Sequence, residues 1–217
     1  MEKGYTVFEK IEREITQMNL QKPFIIGVNG VDTSGKTSFS QALSEYLKGK
    51  GYHVALIHLD DFHNCRAVKS QADNEIDGYF NHAFNLELLE EEILHPIHHG
   101  GYLNKELTLL NLDTDTYINE KHYYVDRGTI VIVEGVLLYR APIDQYFDYR
   151  IFLHIDFPEV LRRAEQRDVP KYGVEFLERY HKKYIPVQEK YLSMYQPKEK
   201  SNLVIDNTDW HVPQILS

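Results

Sequence analysis

Phe24-Ile25-Ile26-Gly27-Val28-Asn29-Gly30-Val31-Asp32-Thr33-Ser34-Gly35-Lys36-Thr37 is the stretch that decides the fold of this chain. Residues 24–28 read as a short buried strand, because the run is apolar and ends in turn chemistry. Gly30 to Thr37 fit the spacing G-x-x-x-x-G-K-[ST]. The glycines let the backbone wrap closely, so that successive N–H groups point inward at phosphate oxygens. A helix expected over residues 36–48, with Phe39, Ala42, Leu43 and Leu47 as its apolar face, turns its positive end to the same oxygens. Lys36 brings a full charge to the β- and γ-phosphates, and the Thr37 hydroxyl is a ligand for Mg²⁺. The expected nucleotide contacts are Gly30, Asp32, Thr33, Ser34, Gly35, Lys36, Thr37 and Ser38. A motif in its required strand–turn–helix context is a strong signal for a P-loop.

Outward from this stretch, strands and helices alternate. A polar-faced helix is expected over residues 5–18, with Val7, Ile11 and Ile15 at helical spacing. Strands are expected over residues 53–59, 129–133, 149–155 and 203–205. Helices are expected over 85–94, ending before Pro96, and over 157–168 and 173–195. Residues 65–78 read as polar and irregular, and residues 107–116 as a strand pair or flap. Alternation of this kind predicts an α/β chain with a mostly parallel sheet covered on both faces, in three layers. One domain is expected over residues 1–217, with an acceptor-side flap at about 65–120. In such sheets ligands bind beyond the carboxyl ends of the strands, and Asp60, Asp61, Glu134 and the Gly-rich turn all fall there.

Each carboxylate has a role and a bland alternative. Asp60 or Asp61 can take the proton of an attacking hydroxyl or hold Mg²⁺ through water. As neighbours in extended chain they point to opposite faces, so one of them faces the phosphates; alternatively both are solvated at a strand end. Glu134 follows Ile130-Val131-Ile132-Val133 and is placed to bind a metal or order water. Buried alone it would cost several kcal/mol, so a cation is expected beside it. Arg163 and Arg167 share a helix face and suit a phosphate clamp, or an ion-pair ladder with Glu159. His63, His82 and Tyr79 flank the acceptor region and are candidate substrate contacts, or packed side chains. The cluster His95, His98 and His99 lacks a matching second half for zinc.

Composition narrows the classes. The net charge is −9, which disfavours general nucleic-acid binding, since that needs a basic face. The one cysteine, Cys65, can form no internal disulfide and fits a reducing compartment. The start lacks the apolar core of a signal peptide, and the most apolar stretch, residues 129–139, is too short to span a bilayer. A cytoplasmic protein with no membrane or nucleic-acid partner is expected, and a homo-oligomer is compatible with the sequence.

Taken together, the residues resemble the uridine kinase and phosphoribulokinase family of P-loop kinases from about residue 24 to residue 206. The segments that carry the resemblance are Gly27-Val28-Asn29-Gly30 through Thr37, Leu59-Asp60-Asp61-Phe62-His63, Ala83-Phe84-Asn85-Leu86, Val133-Glu134-Gly135, and Arg162-Arg163 with Arg167-Asp168. The resemblance implies a kinase that uses ATP and Mg²⁺ on a small-molecule hydroxyl, with uridine or cytidine as default acceptor. It implies Asp60, rather than Asp61, as the base, with Lys36, Arg163 and Arg167 as the other catalytic groups. It places Thr37, Glu134 and Asp60 at the metal, and Arg163 and Arg167 on a lid at about 157–175. The acceptor half departs from the pattern. His63 stands for a tyrosine, His82 stands near an expected aspartate, and residues 110–117 lack the familiar tyrosine and histidine. Tyr172 stands for an arginine. A kinase of the same fold acting on pantothenate, nicotinamide riboside or a sugar phosphate, and a catalytically silent nucleotide-binding protein, are the alternatives.

Overall fold

The computed structural model describes residues 6–18 and 22–217; Tyr5, where the first helix was expected to begin, lies outside them. That helix, α1 (Val7–Thr16), is opened by a capping box in which the Thr6 hydroxyl accepts from the Glu9 amide and the Glu9 carboxylate accepts from the Thr6 amide. Strand β1 (Phe24–Gly30) leads through the glycine turn into α2 (Lys36–Gly49). Strand β2 (Val54–His58) ends in a tight 3₁₀ turn, Leu59–Phe62.

Helices α3 (Arg66–Lys69), α4 (Glu75–His82) and α5 (Leu86–Leu89) follow. A hairpin comes next, β3 (Leu103–Asn111) with β4 (Thr116–Val125). Then come β5 (Ile130–Gly135), β6 (Tyr149–His154), α6 (Phe157–Tyr172), α7 (Phe176–Arg179), α8 (Ile185–Tyr195), β7 (Leu203–Asp206) and β8 (Gln214–Ile215).

The main sheet runs β2-β5-β1-β6-β7-β8; all its pairs are parallel except the last. Central strands β1 and β5 are buried along their whole length, as expected for strands covered on both faces. On one face α1 and α2 pack through Val7, Ile11, Ile15, Phe39, Leu43 and Leu47 against Ile26, Val28, Ile130 and Ile151. The other face carries the hairpin, α4, α5 and α8, packed on Ile25, Ile57, Val131 and Val133. The expected three-layer α/β architecture is therefore the observed one.

Several expectations about boundaries need correction. Residues 65–78 are not irregular throughout, because Asn74 caps α4 by accepting from the Asp77 amide. Pro96 does not end the helix begun by Asn85. The chain passes through two wide π turns, Glu90–Leu94 and Pro96–Gly100, and stops at Gly101, whose φ is +67°. Another π turn, Tyr180–Tyr184, interrupts the segment expected as one helix over 173–195. Helix α6 runs on to Tyr172 and ends at Gly173, with φ +84°. The edge strand β8 was not anticipated.

Helix α8 is tied to the end of β1. The buried Tyr191 hydroxyl accepts from Asn29 Nδ2 at 2.6 Å and from the Tyr139 amide at 2.8 Å. Tyr191→Phe leaves both donors buried without a partner, which costs about 2 kcal/mol. Urea denaturation should register a loss of that order with unchanged secondary structure.

Candidate active site

The phosphate loop is shaped by close approaches. A Cβ on Gly30 would lie 2.6 Å from the Leu153 carbonyl oxygen and 2.5 Å from Ser34 Oγ. Gly35 has φ +88°, and Thr33 sits in the left-handed region at φ +56°. A threonine tolerates that geometry only where its surroundings fix it. Here they do: Thr33 Oγ1 donates to the Val160 carbonyl at 3.2 Å, and the Thr33 carbonyl accepts from Arg163 at 3.0 Å. Asn207 Nδ2 donates to the Ser34 carbonyl at 2.7 Å. Helix α2 starts at Gly35 without a side-chain cap, so its N-terminal amides remain available to an anion.

Lys36 is buried and donates to the Val31 carbonyl at 2.8 Å. Burial pulls its ammonium pKa down, against the attraction of Asp32 and Glu134. Burial likewise raises the Asp32 carboxyl, against the pull of Lys36 and a 3.3 Å hydrogen bond from Gln188.

The side chain that partners Glu134 is His58. In the parallel register of β2 and β5, His58 stands opposite Glu134. Its Nδ1 is 2.7 Å from Glu134 Oε1, and the Thr37 hydroxyl donates to the same oxygen at 2.9 Å. Burial works to raise the Glu134 pKa, yet the His58 bond, Lys36 and the Thr37 bond outweigh it, and the carboxyl lies below its ordinary value. The Glu134 hydrogen bond holds His58 above its ordinary value, against burial. Among the described residues, both hydrogen bonds to Glu134 fall on Oε1. Thr37 and Glu134 thus present hard oxygen donors, and no cluster of three His, Cys, Asp or Glu able to hold a metal occurs among the described residues. Such a sparse oxygen set fits Mg²⁺, which keeps waters and substrate phosphates in its shell.

Asp60 and Asp61 lie in the 3₁₀ turn, not in extended chain, so the alternation argument does not apply to them. Their separation has another cause. The Asp61 carboxylate is taken by Lys121 and, at 3.3 Å, by the Tyr123 hydroxyl, both on β4. Asp60 is left 71% exposed at the cavity, 3.8 Å from His63 Nε2. His63 lies over Phe84, with ring centroids 4.5 Å apart, and its Nδ1 is 3.0 Å from the Ala83 carbonyl. That carbonyl requires a proton on Nδ1 and so turns Nε2 toward Asp60.

One cavity of about 960 Å³ takes in Asp32, Thr33, Gly35, Lys36, Thr37, Ser38, Asp60, His63, Tyr79, Glu134, Arg163 and Arg167. His82 is not in its wall; it lies at the end of α4, where its carbonyl accepts from Asn64. Gly30 and Ser34, also expected as nucleotide contacts, are not in its wall either. Arg163 is brought to the loop, where it donates to Glu159 at 2.7 Å and to the carbonyls of Thr33, Asn207 and Thr208. In this arrangement it braces the loop from the wall of the cavity. Arg167 forks onto Asp168 at 2.7 and 2.9 Å and also reaches the Tyr180 hydroxyl. Arg162 and Arg163 both bind Glu159, and their hydrogen bonds, Arg162 first, bring its carboxyl down to about 2.

Residues 25–209 match the sequence model of the Phosphoribulokinase / Uridine kinase family. The chain belongs to this family. Among its relatives, a uridine kinase of Bacillus anthracis is 25% identical over 213 residues, covering 92% of this chain and 97% of the relative. A uridine kinase of Bacillus mycoides is 24% identical over 200 residues, covering 86% and 91%. The solved structure of a possible uridine kinase from Bacillus stearothermophilus superimposes with TM-score 0.73 at 20% identity, covering 91% of this chain and 96% of that one. Family membership makes the chain a P-loop kinase. No helix among the described residues is long and apolar enough to cross a membrane.

The His58–Glu134 pair has a definite pH signature. Glu134, lowered from 4.5, adds stability that is present above that pH and is lost as pH falls through its folded value. His58, raised from 6.5, adds stability that is complete below that pH and is lost as pH rises through its folded value. The pair is therefore worth most between 4.5 and 6.5. The urea midpoint should decline as pH is raised from 6.5, and His58→Ala should remove that part of the decline.

Proposed function

We propose that this family member transfers the γ-phosphoryl group of ATP to a hydroxyl of a small molecule, with uridine or cytidine as the default acceptor. One observation carries this reading. A cavity-facing carboxylate, Asp60, shares an enclosure with an open helix N-terminus, a buried lysine and a Thr37–Glu134 oxygen pair. The loop amides and Lys36 would hold the β- and γ-phosphates. Thr37 and Glu134 would hold Mg²⁺, which when bound withdraws charge from the phosphate oxygens.

Asp60 orients the acceptor hydroxyl and takes its proton as the new O–P bond forms. The bond from the γ-phosphorus to the β,γ-bridging oxygen breaks, and ADP leaves with the electron pair. Lys36 and the nearby Arg167 offset charge on the transferring group. His63 and Tyr79 border the acceptor end of the cavity.

A second reading keeps the chemistry and changes the acceptor. None of residues 110–117, at the tip of the β3–β4 hairpin, lines the cavity. The tip is instead latched to α3, where Asp115 accepts from the Arg66 amide. An acceptor other than a pyrimidine nucleoside, such as pantothenate, nicotinamide riboside or a sugar phosphate, fits that arrangement.

Measuring ADP release across uridine, cytidine and these compounds separates the two readings. Asp60→Asn should cut turnover by about 100-fold or more while calorimetry finds Mg·ATP affinity nearly unchanged. Normal turnover by that variant would remove Asp60 from the role of base. Nucleotide binding with no product from any acceptor would favour a silent binding protein.

A further inference from the structure

The cavity continues past the phosphate loop into an aromatic recess. Phe8, Trp210, His211 and Pro213 are in its wall together with Ala42 of α2. Phe8 belongs to α1, and the other three lie between β7 and β8. All four fall outside residues 25–209, the part that matches the family. The recess is therefore built from residues that flank the matched stretch.

Its place in the sheet says which part of a ligand it meets. In the order β2-β5-β1-β6-β7-β8, the loop follows β1, Asp60 follows β2, and Trp210 follows β7. Asp60 and Trp210 thus lie on opposite sides of the loop. Each is two strand spacings away, about 10 Å at 4.8 Å per strand. A phosphate chain centred on the loop, with its γ end toward Asp60, sends its nucleoside end toward Trp210.

The side chains suit a flat ring. Trp210 is 62% exposed and lies tilted against His211 with ring centroids 3.6 Å apart. Phe8 is held edge-on by Phe39, at 5.3 Å between centroids, and also touches Tyr46 at 5.6 Å. The segment that bears Trp210 is fixed to the phosphate loop, since Asn207 binds the Ser34 carbonyl and Arg163 bridges Thr33 to Asn207 and Thr208. An exposed indole anchored beside a phosphate site leaves apolar surface that a base would cover by stacking.

We propose that Phe8 and Trp210 form an aromatic seat for the purine ring of the nucleotide, built from segments outside the family-matched region. This rests on the nucleotide reading above and adds the residues that hold its base. The triphosphate is gripped by the loop, and the ring by Phe8 and Trp210.

Trp210 is the chain's one tryptophan, so its fluorescence reports the site directly. Mg·ATP should quench or shift that emission on saturation. Inorganic tripolyphosphate, which has the phosphates and no base, should bind by calorimetry without the change, and uridine alone should leave the emission untouched. Trp210→Ala and Phe8→Leu should each weaken Mg·ATP about tenfold and leave tripolyphosphate affinity within about twofold, which also certifies that the variants are folded. ATP that binds without altering Trp210, wild-type protein that holds tripolyphosphate as tightly as ATP, or variants with undiminished ATP affinity would overturn the seat alone. Quenching by uridine but not by ATP would assign the recess to the acceptor and overturn it as well. Failure of both ATP and tripolyphosphate to bind would sink the nucleotide reading itself, and the seat with it.

Discussion

The carbonyl oxygens of Thr33 and Ser34 are where this structure is pinned. Arg163 takes one and Asn207 the other, and both side chains come from segments that follow β6 in the chain. A tight loop has two sets of backbone dipoles, and a site for phosphate needs the amides to face the ligand. Engaging the carbonyls from the protein side fixes that choice. The left-handed Thr33 and Gly35 follow from it, because the chain must reverse its peptide planes within a few residues. So does the bare helix start, since a side-chain cap at α2 would compete for the same amides.

What could be read in the sequence was what depends on near neighbours. The strand–loop–helix unit was legible because apolar run, glycine spacing and helix periodicity all lie within residues 24–48. Glu134 was legible as the carboxylate ending a buried strand, and the need for a cation beside it followed from the cost of burial. The identity of the partner was not. His58 becomes visible only when β2 and β5 are placed side by side in register, and nothing local states that register. Of the two readings left open for Arg163, the structure bears directly on the ladder. The Glu159 ladder exists, and it aims the remaining donors at the loop carbonyls.

Errors arose where distant contacts override local rules. Extended geometry was assumed for Asp60 and Asp61, whereas the chain turns immediately after His58. Asp61 is then claimed by residues some sixty positions later. Pro96 was read as a stop, yet a π turn tolerates it. His82 was placed with His63 by proximity in the fold's acceptor region. The end of α4 turns it away, leaving Tyr79 one turn earlier in the cavity wall.

The cavity divides into a fixed part and a part still to be ordered. Lys36, Glu134 and Asn207 are buried and cross-linked, so their conformational entropy is lost on folding and not on binding. Asp60 and Trp210 are both more than half exposed. These groups give up rotamer freedom only when a ligand arrives, at a cost of about 0.5–1.5 kcal/mol per side chain. Affinity for the phosphate chain is thus prepared in the fold itself. Discrimination, both of the base at one end and of the acceptor at the other, falls to side chains whose ordering has to be driven by the ligand's own contacts. A phosphate chain that meets neither end gains the fixed part alone, and a full substrate pair gains all three.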